Sequence, residues 1–392
     1  MKIIISTGGT GGHIFPGLAI AEELEAQGVE VIIVGSKFGM ESRILRDKLQ
    51  TAGKDRYTLK LTCQKALLGK SRNEKLKFPV FLCLSFFQSI LLLLKERPDG
   101  VIGTGGFGSF SIVFMAALAG LPTIITEVDS IPGLTTKILS RFVHEVWIAF
   151  EDAKADLPAL KVKVSGFPVR KGIRKANKSI RDFGLESQKP TILVFGGSRG
   201  ARRINEVVKE AISYMPEYRF IWQTGETGDG GQNSKSQIPN PKGENPKGEN
   251  PKSQIPNPNR ILNTDNRTPN VWRAGFIEDM GSAYGNADIV VARAGALTIG
   301  ELAAVGLPAI LIPYPYAAGG HQLVNARILE KKGAAVVILE KDLTPSVLAE
   351  RIKGLIEDKK LRYKMGLAIK EFSHLEAANL IANRMITLCK RR

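Results

Sequence analysis

The feature that most constrains this chain is a pattern that occurs twice: a short apolar strand, then a glycine-rich turn, then a helix. In the first half the strand Ile3–Ser6 runs into a turn from Thr7 to Gly12. In the second half the strand Thr191–Phe195 runs into the turn Gly196–Gly200. Glycines let backbone N–H groups approach a phosphate, and the helix that follows offers its positive end. The repetition predicts two nucleotide-type domains that face a cleft.

The other predicted strands show no polar–apolar alternation and are separated by helical stretches. That pattern is typical of parallel sheets covered on both faces, and it indicates an α/β fold of two doubly wound halves. The boundary is predicted after Val164, near Gly166. The helices predicted after the two glycine turns are Pro16–Gln27 and Ala201–Met215. The remaining predicted strands are Val29–Val34, Val101–Gly103, Thr123–Thr126, Glu145–Ile148, Phe220–Gln223, Val271–Ala274, Ile289–Ala292, Ala309–Ile312 and Ala335–Ile338.

Length and charge agree with this reading and restrict the partner. The 392 residues are too many for one core of ordinary size, so two domains are expected. The net charge of +17 predicts an anionic partner. A nucleic-acid partner would explain the charge but not the glycine turns, so none is expected.

Cysteine usage and the N-terminus indicate the cellular compartment. The three cysteines, Cys63, Cys83 and Cys389, lie far apart and form no CxxC pair, which excludes a disulfide framework or a cysteine-based zinc site and fits a reducing compartment. The apolar run at the N-terminus breaks at Gly8, which is too early for a signal peptide. It predicts a buried first strand of a cytoplasmic protein.

Two segments depart from the strand–helix pattern. Glu226–Thr268 is poor in apolar residues and repeats SQIPNP and KGENP, which predicts a disordered surface insertion. Phe78–Leu94 has 17 residues and no charge, and it follows the basic residues of Lys70–Lys77. It could be a buried core helix, a helix lying on a membrane surface beside that basic strip, or a membrane span. The first two overlap, because one helix can show one face to the core and the other to lipid.

Candidate residues of the first half follow its strands. His13 directly follows the first glycine turn and is either held by local hydrogen bonds or a general base, since an unperturbed histidine titrates near neutral pH. A second glycine turn, Gly103–Ser109, follows a later strand. The sequence Glu127-Val128-Asp129 ends the next strand, where carboxylates either cap helices or face a ligand. Arg170, near the boundary, could meet a phosphate.

Candidate residues of the second half include Ser198 in the glycine turn, which adds a hydroxyl donor to a phosphate cradle. Thr298 and Glu301 have the spacing of a capping box. Alternatively, Glu301 accepts hydrogen bonds from the hydroxyls of a ribose while the helix N-terminus faces a pyrophosphate. The polar loop that leads to His321 and Gln322 could read sugar hydroxyls.

Taken together, six ordered segments resemble the MurG family of bacterial cell-wall glycosyltransferases, in glycosyltransferase family 28. The resemblance covers nearly the whole chain except Glu226–Thr268. It implies a GT-B fold with domains at residues 1–166 and 167–370, and a C-terminal helix at 371–392 that returns to the first domain. The segments are GGTGGH, GTGGF, GFPVR, GGSRGA, FIEDM and ADIVVARAGALTIGELAAVGLPAILIPYP.

The resemblance also implies a reaction and its partners. N-acetylglucosamine (GlcNAc) would pass from UDP-GlcNAc to the C4 hydroxyl of undecaprenyl-pyrophosphoryl-MurNAc-pentapeptide (lipid I), with inversion and without a cofactor or metal. No DxD pair occurs in the chain. The enzyme would sit peripherally on the anionic cytoplasmic face of the inner membrane, with other cell-wall synthesis proteins as partners. Two alternatives stay open: a related transferase for another lipid, and a sugar-nucleotide-binding protein without turnover.

The family's site residues are carried over by position. His13 and Glu127 would face the acceptor, with the identity of the base open between them. Ser198 and Arg170 would contact the pyrophosphate, and the backbone of Ile277 would bind uracil. Asp129 stands where the family has Asn, and His321 stands where the family has Gln. At both positions the side-chain groups available for contacts with the sugar therefore differ from those of the family. The other donor-site residues would be Thr10, Gly11, Gly12, Ala296, Leu297, Thr298, Ile299, Gly300, Glu301 and Gln322.

Overall fold

The computed structural model describes residues 1–8, 11–36, 57–62, 78–174, 176, 183, 189–197, 200–225 and 270–391. The predicted insertion at 226–268 and the basic strip Lys70–Lys77 lie outside the described residues.

Two parallel sheets form the core. The first has seven strands in the order β3-β2-β1-β4-β5-β6-β7, and the second has six in the order β10-β9-β8-β11-β12-β13. The strands of the first sheet are β1 (Lys2–Ser6), β2 (Glu30–Ser36), β3 (Thr58–Thr62), β4 (Gly100–Gly103), β5 (Thr123–Glu127), β6 (Glu145–Ile148) and β7 (Val162–Val164). Those of the second are β8 (Thr191–Phe195), β9 (Arg219–Gln223), β10 (Val271–Ala274), β11 (Ile289–Ala292), β12 (Ala309–Leu311) and β13 (Val336–Val337).

Helices connect the strands and cover both faces of each sheet. The helices are α1 (Gly11–Glu25), α2 (Phe78–Glu96), α3 (Phe110–Leu118), α4 (Leu134–Leu139), α5 (Lys171–Arg174), α6 (Arg202–Ala211), α7 (Met280–Asn286), α8 (Ala296–Val305), α9 (His321–Lys331), α10 (Pro345–Glu357), α11 (Lys359–Lys370) and α12 (Ala377–Lys390). Short 3₁₀ turns lie at Phe107–Ser109, Glu151–Asp156, Ala159–Lys161, Ile212–Tyr214, Ala318–Gly320 and Glu340–Asp342.

The central strands are apolar on both sides because both faces of the sheet are buried. In β1, Ile3 and Ile5 pack with α1, whereas Ile4 packs on the opposite face beside Ile112 of α3. Parallel strands enclosed in this way lack alternation, which is why they could be predicted as continuous apolar runs.

The edges of the first sheet differ from the prediction. The edge strands β3 and β7 were not predicted, because a half-exposed edge alternates polar with apolar residues and carries no continuous apolar run. Helix α1 begins at Gly11 rather than at Pro16, so Pro16 lies inside it. Because proline has no N–H, it cannot donate to the Gly12 carbonyl, one turn before it.

The C-terminal helix α12 packs on the first domain. Ala378, Ile381 and Met385 share an apolar cluster with β1 and α1. Arg384 donates two hydrogen bonds to Glu145 Oε1, from Nε at 2.9 Å and from Nη2 at 2.6 Å. Burial by itself would raise the pKa of Glu145. The hydrogen bonding and the positive charge of Arg384 outweigh burial, so the pKa of Glu145 is lowered. An ion pair therefore reinforces the apolar docking of the C-terminus.

Helix α2 has unusual exposure for so apolar a sequence. Its buried side carries Ser85, which donates to Ser111 of α3 at 2.8 Å, and Ser89. Among the described residues it is the one helix long and apolar enough to cross a membrane by length and composition. Its side away from the domain exposes a stripe of large apolar side chains, which we call the α2 stripe: Val80, Leu84, Phe87, Leu91 and Leu94.

Candidate active site

The strand order of each sheet reverses at one point, between β1 and β4 in the first domain and between β8 and β11 in the second. Ligands of open α/β sheets bind outside the carboxyl ends of the strands at such points. The glycine turns lie there. Gly8 packs so closely on the second glycine turn that a Cβ on it would lie 2.7 Å from the Gly105 carbonyl oxygen. The glycines therefore let two loops meet beneath the site.

His13 lies in the first turn of α1, against the second glycine turn. Its Nδ1 is 2.9 Å from the Thr104 carbonyl oxygen, and the Thr104 hydroxyl donates to the His13 carbonyl at 2.8 Å. A carbonyl only accepts, so Nδ1 carries the proton and Nε2 keeps a free lone pair in the neutral ring. A Cβ at Gly106 would lie 2.9 Å from the ring, so these glycines hold the imidazole in place.

Glu127 ends β5 and is only 4% exposed. Its Oε2 accepts from the Gly133 N–H at 3.0 Å and from the Thr136 hydroxyl at 2.6 Å, and its Oε1 accepts from the Asp129 N–H at 3.2 Å. Burial, followed by the negative charge of Asp129, raises the pKa of Glu127. The carboxylate thus organises the loop between β5 and α4.

Arg170 and Glu301 form a partly buried ion pair at the boundary between the domains. Arg170 Nη2 lies 3.3 Å from Glu301 Oε1, and the guanidinium stacks over Phe15 of α1, 4.2 Å from the ring centroid. The Tyr284 hydroxyl donates to Glu301 Oε2 at 2.9 Å. Burial, then the Glu301 carboxylate, raises the pKa of Tyr284 well above its ordinary value. The buried Nε of Arg170 finds no partner among the described residues, which leaves a donor for an anion.

Helix α8 begins at Ala296, and its N-cap is Gly295, without a side-chain cap. Thr298 is therefore the third residue of the helix, so the capping-box interpretation of Thr298 and Glu301 is wrong. The six residues 296–301 form the first turns of the helix, at the carboxyl end of β11. Gly300 packs on Phe167, where a Cβ would lie 2.5 Å from that of Phe167.

Of the remaining predicted donor residues, Ile277 and Gln322 each take part in a hydrogen bond within the second domain. The Ile277 N–H donates to Gln223 Oε1 at 2.9 Å, and Gln223 Nε2 donates to the Gly197 carbonyl at 3.1 Å. Gln223 therefore connects the loop that holds Ile277 to the glycine turn that follows β8. Gln322 Oε1 accepts from the Tyr314 N–H at 3.0 Å. Gly11 begins α1 next to Gly12.

Asp129 is partly buried and accepts a hydrogen bond from Asn325 of α9. Thr10 and Ser198 lie outside the described residues, so their roles stay predictions, as do the contacts assigned to the other site residues.

Two residues of the site were missed from the sequence. Tyr284 and Asn325 are fully buried, and each contacts a predicted site residue, Glu301 and Asp129 respectively. For Asn325 the sequence did contain a signal. Asn325 follows Gln322 by three residues on one helix, and residues three apart lie on the same side of a helix. For Tyr284 there was none.

The two parallel α/β domains meet through the carboxyl ends of their strands, and glycine turns and an Arg–Glu pair lie at the junction. This arrangement is that of a nucleotide-sugar enzyme of the GT-B class. Residues 3–148 match the glycosyltransferase family 28 N-terminal domain and residues 191–381 match its C-terminal domain. With the relatives described next, these matches show that the chain belongs to the MurG family of glycosyltransferase family 28.

Curated relatives share 36% identity with the chain. One from Myxococcus xanthus aligns over 98% of this chain and 94% of its own length, and one from Limosilactobacillus fermentum over 97% and 96%. Both are named UDP-N-acetylglucosamine--N-acetylmuramyl-(pentapeptide) pyrophosphoryl-undecaprenol N-acetylglucosamine transferase. The crystal structure of Acinetobacter baumannii MurG superposes with a TM-score of 0.69 at 25% identity, covering 98% of this chain and 99% of that one.

Proposed function

We propose that this protein transfers GlcNAc from UDP-GlcNAc to the C4 hydroxyl of lipid I, giving the disaccharide lipid used in peptidoglycan synthesis. The observation that carries the proposal is identity of 36% over nearly the full length to transferases named for this reaction. The donor side is the second domain, around α8. The acceptor side is the first domain, around His13.

The geometry favours His13 over Glu127 as the general base. Each oxygen of Glu127 already accepts hydrogen bonds from the chain, whereas His13 has its proton on Nδ1 and a lone pair on Nε2. In the transfer, the acceptor C4 oxygen attacks C1 of GlcNAc as the bond from C1 to the UDP oxygen breaks, so the anomeric centre inverts. The hydroxyl proton passes to His13 Nε2, and UDP leaves with the bonding electrons.

The departing pyrophosphate gains negative charge, and the cleft offers positive groups to receive it. Within the part of the chain that the structure describes, the buried Nε–H of Arg170 has no partner, and the N-terminus of α8 adds its positive dipole end. Glu301, oriented by Tyr284, would accept hydrogen bonds from the ribose hydroxyls in exchange for its bond to Arg170. Nucleotide binding then frees Arg170 for the phosphates.

The enzyme would work peripherally at the cytoplasmic face of the inner membrane, attached through the α2 stripe. The stripe residues follow one another at intervals of three or four, so they share one side of the helix. The other side packs on the domain through Ser85 and Ser89. With the stripe facing away from the domain, α2 can lie on the surface of the membrane. The acceptor lipid of the proposed reaction is in that membrane. Other cell-wall synthesis proteins would be partners at the same membrane.

The test is incubation of the pure protein with radiolabelled UDP-GlcNAc and a short-chain lipid I analogue. Label in the lipid product supports the proposal. Binding of UDP-GlcNAc without label transfer would refute it and would favour a transferase for another lipid or a binding protein without turnover. Offering a second polyprenyl-linked sugar acceptor separates those two outcomes.

A further inference from the structure

The side chain of Asn325 joins the two domains. It lies on α9, three residues after Gln322, and is fully buried. Its Oδ1 accepts from the Ser130 N–H at 3.1 Å and from the Ser130 hydroxyl at 2.6 Å. Its Nδ2 donates to Asp129 Oδ1 at 3.0 Å and to the Ala294 carbonyl at 3.5 Å. A carboxamide has two donors and two lone pairs, so this one is fully used.

The neighbours determine which way this amide points. The Ser130 N–H can only donate, and the Ala294 carbonyl can only accept. A flipped amide would set N–H against N–H and oxygen against oxygen. The carboxylate of Asp129, which accepts and does not donate when ionised, therefore suits the Nδ2 of Asn325.

The bonds cross the cleft close to the proposed chemistry. Asp129 and Ser130 belong to the loop after β5, which Glu127 organises. Val128, the residue before them, is buried in an apolar cluster built mainly from the second domain. The loop is therefore attached to the second domain by apolar packing and by hydrogen bonds, although 195 residues separate Ser130 from Asn325.

We propose that Asn325 is a positioning residue for the transfer reaction. Together with Asp129 and Ser130 it forms a clasp that sets the acceptor side of the cleft, with His13, at a fixed distance from the donor side, with Gln322. The inference rests on the proposed function for its catalytic consequence. The clasp itself is a property of the fold and can be tested without turnover.

The test is a double-mutant cycle. Asn325→Asp sets a carboxylate against the Asp129 carboxylate, and like charges at this distance repel. Adding Asp129→Asn restores a donor–acceptor pair, because the amide introduced at position 129 donates to the carboxylate introduced at position 325. Asn383→Asp, the same change on exposed α12, is the matched control. Each variant is compared by kcat and KM, by urea denaturation and by small-angle X-ray scattering without ligand and with UDP.

We expect Asn325→Asp to lower kcat by about tenfold or more and to enlarge the radius of gyration of the ligand-free protein. We expect the double variant to recover at least about fivefold of the loss and the compact radius, because buried contacting pairs couple strongly. The control should behave as wild type. Purely additive effects of the two substitutions, or an unchanged radius and kcat in Asn325→Asp, would overturn the clasp.

Two further arms keep the outcome decisive. If Asn325→Asp does not fold, Ser130→Ala removes only the hydroxyl bond, and it should lower kcat more than it changes KM; wild-type kcat would count against the clasp. If wild type itself transfers no label, the proposed function fails. The coupling in denaturation and scattering then still decides the clasp.

Discussion

The proposed membrane attachment through the α2 stripe predicts a large effect of two substitutions, Phe87→Glu and Leu91→Glu made together. Phe87 is 58% exposed and Leu91 is 49% exposed, so about half of each side chain remains to be buried. Full burial of such a side chain contributes roughly 1.5–3 kcal/mol, so half-burial of both contributes about 1.5–3 kcal/mol in total. That loss weakens membrane partitioning by about 10- to 150-fold, before any repulsion of the new carboxylates by anionic lipid.

The assay is flotation with vesicles of phosphatidylcholine and phosphatidylglycerol, with pure phosphatidylcholine vesicles as a second arm. The control is Leu361→Glu, at a 41% exposed position on α11 of the second domain. Urea denaturation checks that each variant is folded. Wild type and control should float and the double variant should stay in the dense fraction. Equal flotation of all three would refute the reasoning, because the stripe would then contribute nothing to binding.

Three further perturbations address the site and the C-terminal helix. Glu127→Gln should destabilise the fold by about 1–3 kcal/mol in urea denaturation, because an N–H replaces an acceptor; unchanged stability would contradict the loop-ordering role. Tyr284→Phe should raise the KM for UDP-GlcNAc about two- to tenfold in steady-state kinetics, because Glu301 loses the hydroxyl that orients it. A change in kcat alone would contradict this orienting role of Tyr284. Arg384→Gln should destabilise the protein at neutral pH. The pKa of Glu145 is lowered by folding, so its contribution is present above its ordinary pKa and is lost as pH falls through the lowered value. Denaturation at several pH values should show the difference between wild type and variant shrinking below about pH 4; a difference independent of pH would count against the ion pair.

Local pattern was sufficient for the framework of both domains. The strands Thr191–Phe195 and Glu145–Ile148 lie where the continuous apolar runs placed them, since enclosed parallel strands need apolar residues on both sides. The glycine turns marked the carboxyl ends of β1 and β8, and the order of six segments was enough to indicate the family. All these signals are local in the chain, so the sequence by itself determined them.

Contacts between distant residues were decided by the tertiary structure alone. The sequence of an apolar helix such as α2 does not indicate which of its sides is buried. The structure shows the buried side through the hydrogen bond between Ser85 of α2 and Ser111 of α3. The capping-box spacing of Thr298 fitted two structures until the helix was seen to begin at Ala296. Asn325 and Ser130 are separated by 195 residues, and no local pattern reports a hydrogen bond formed only when two domains close on each other. Loop and helix ends become a site only when the sheets bring them together, and that placement belongs to the fold.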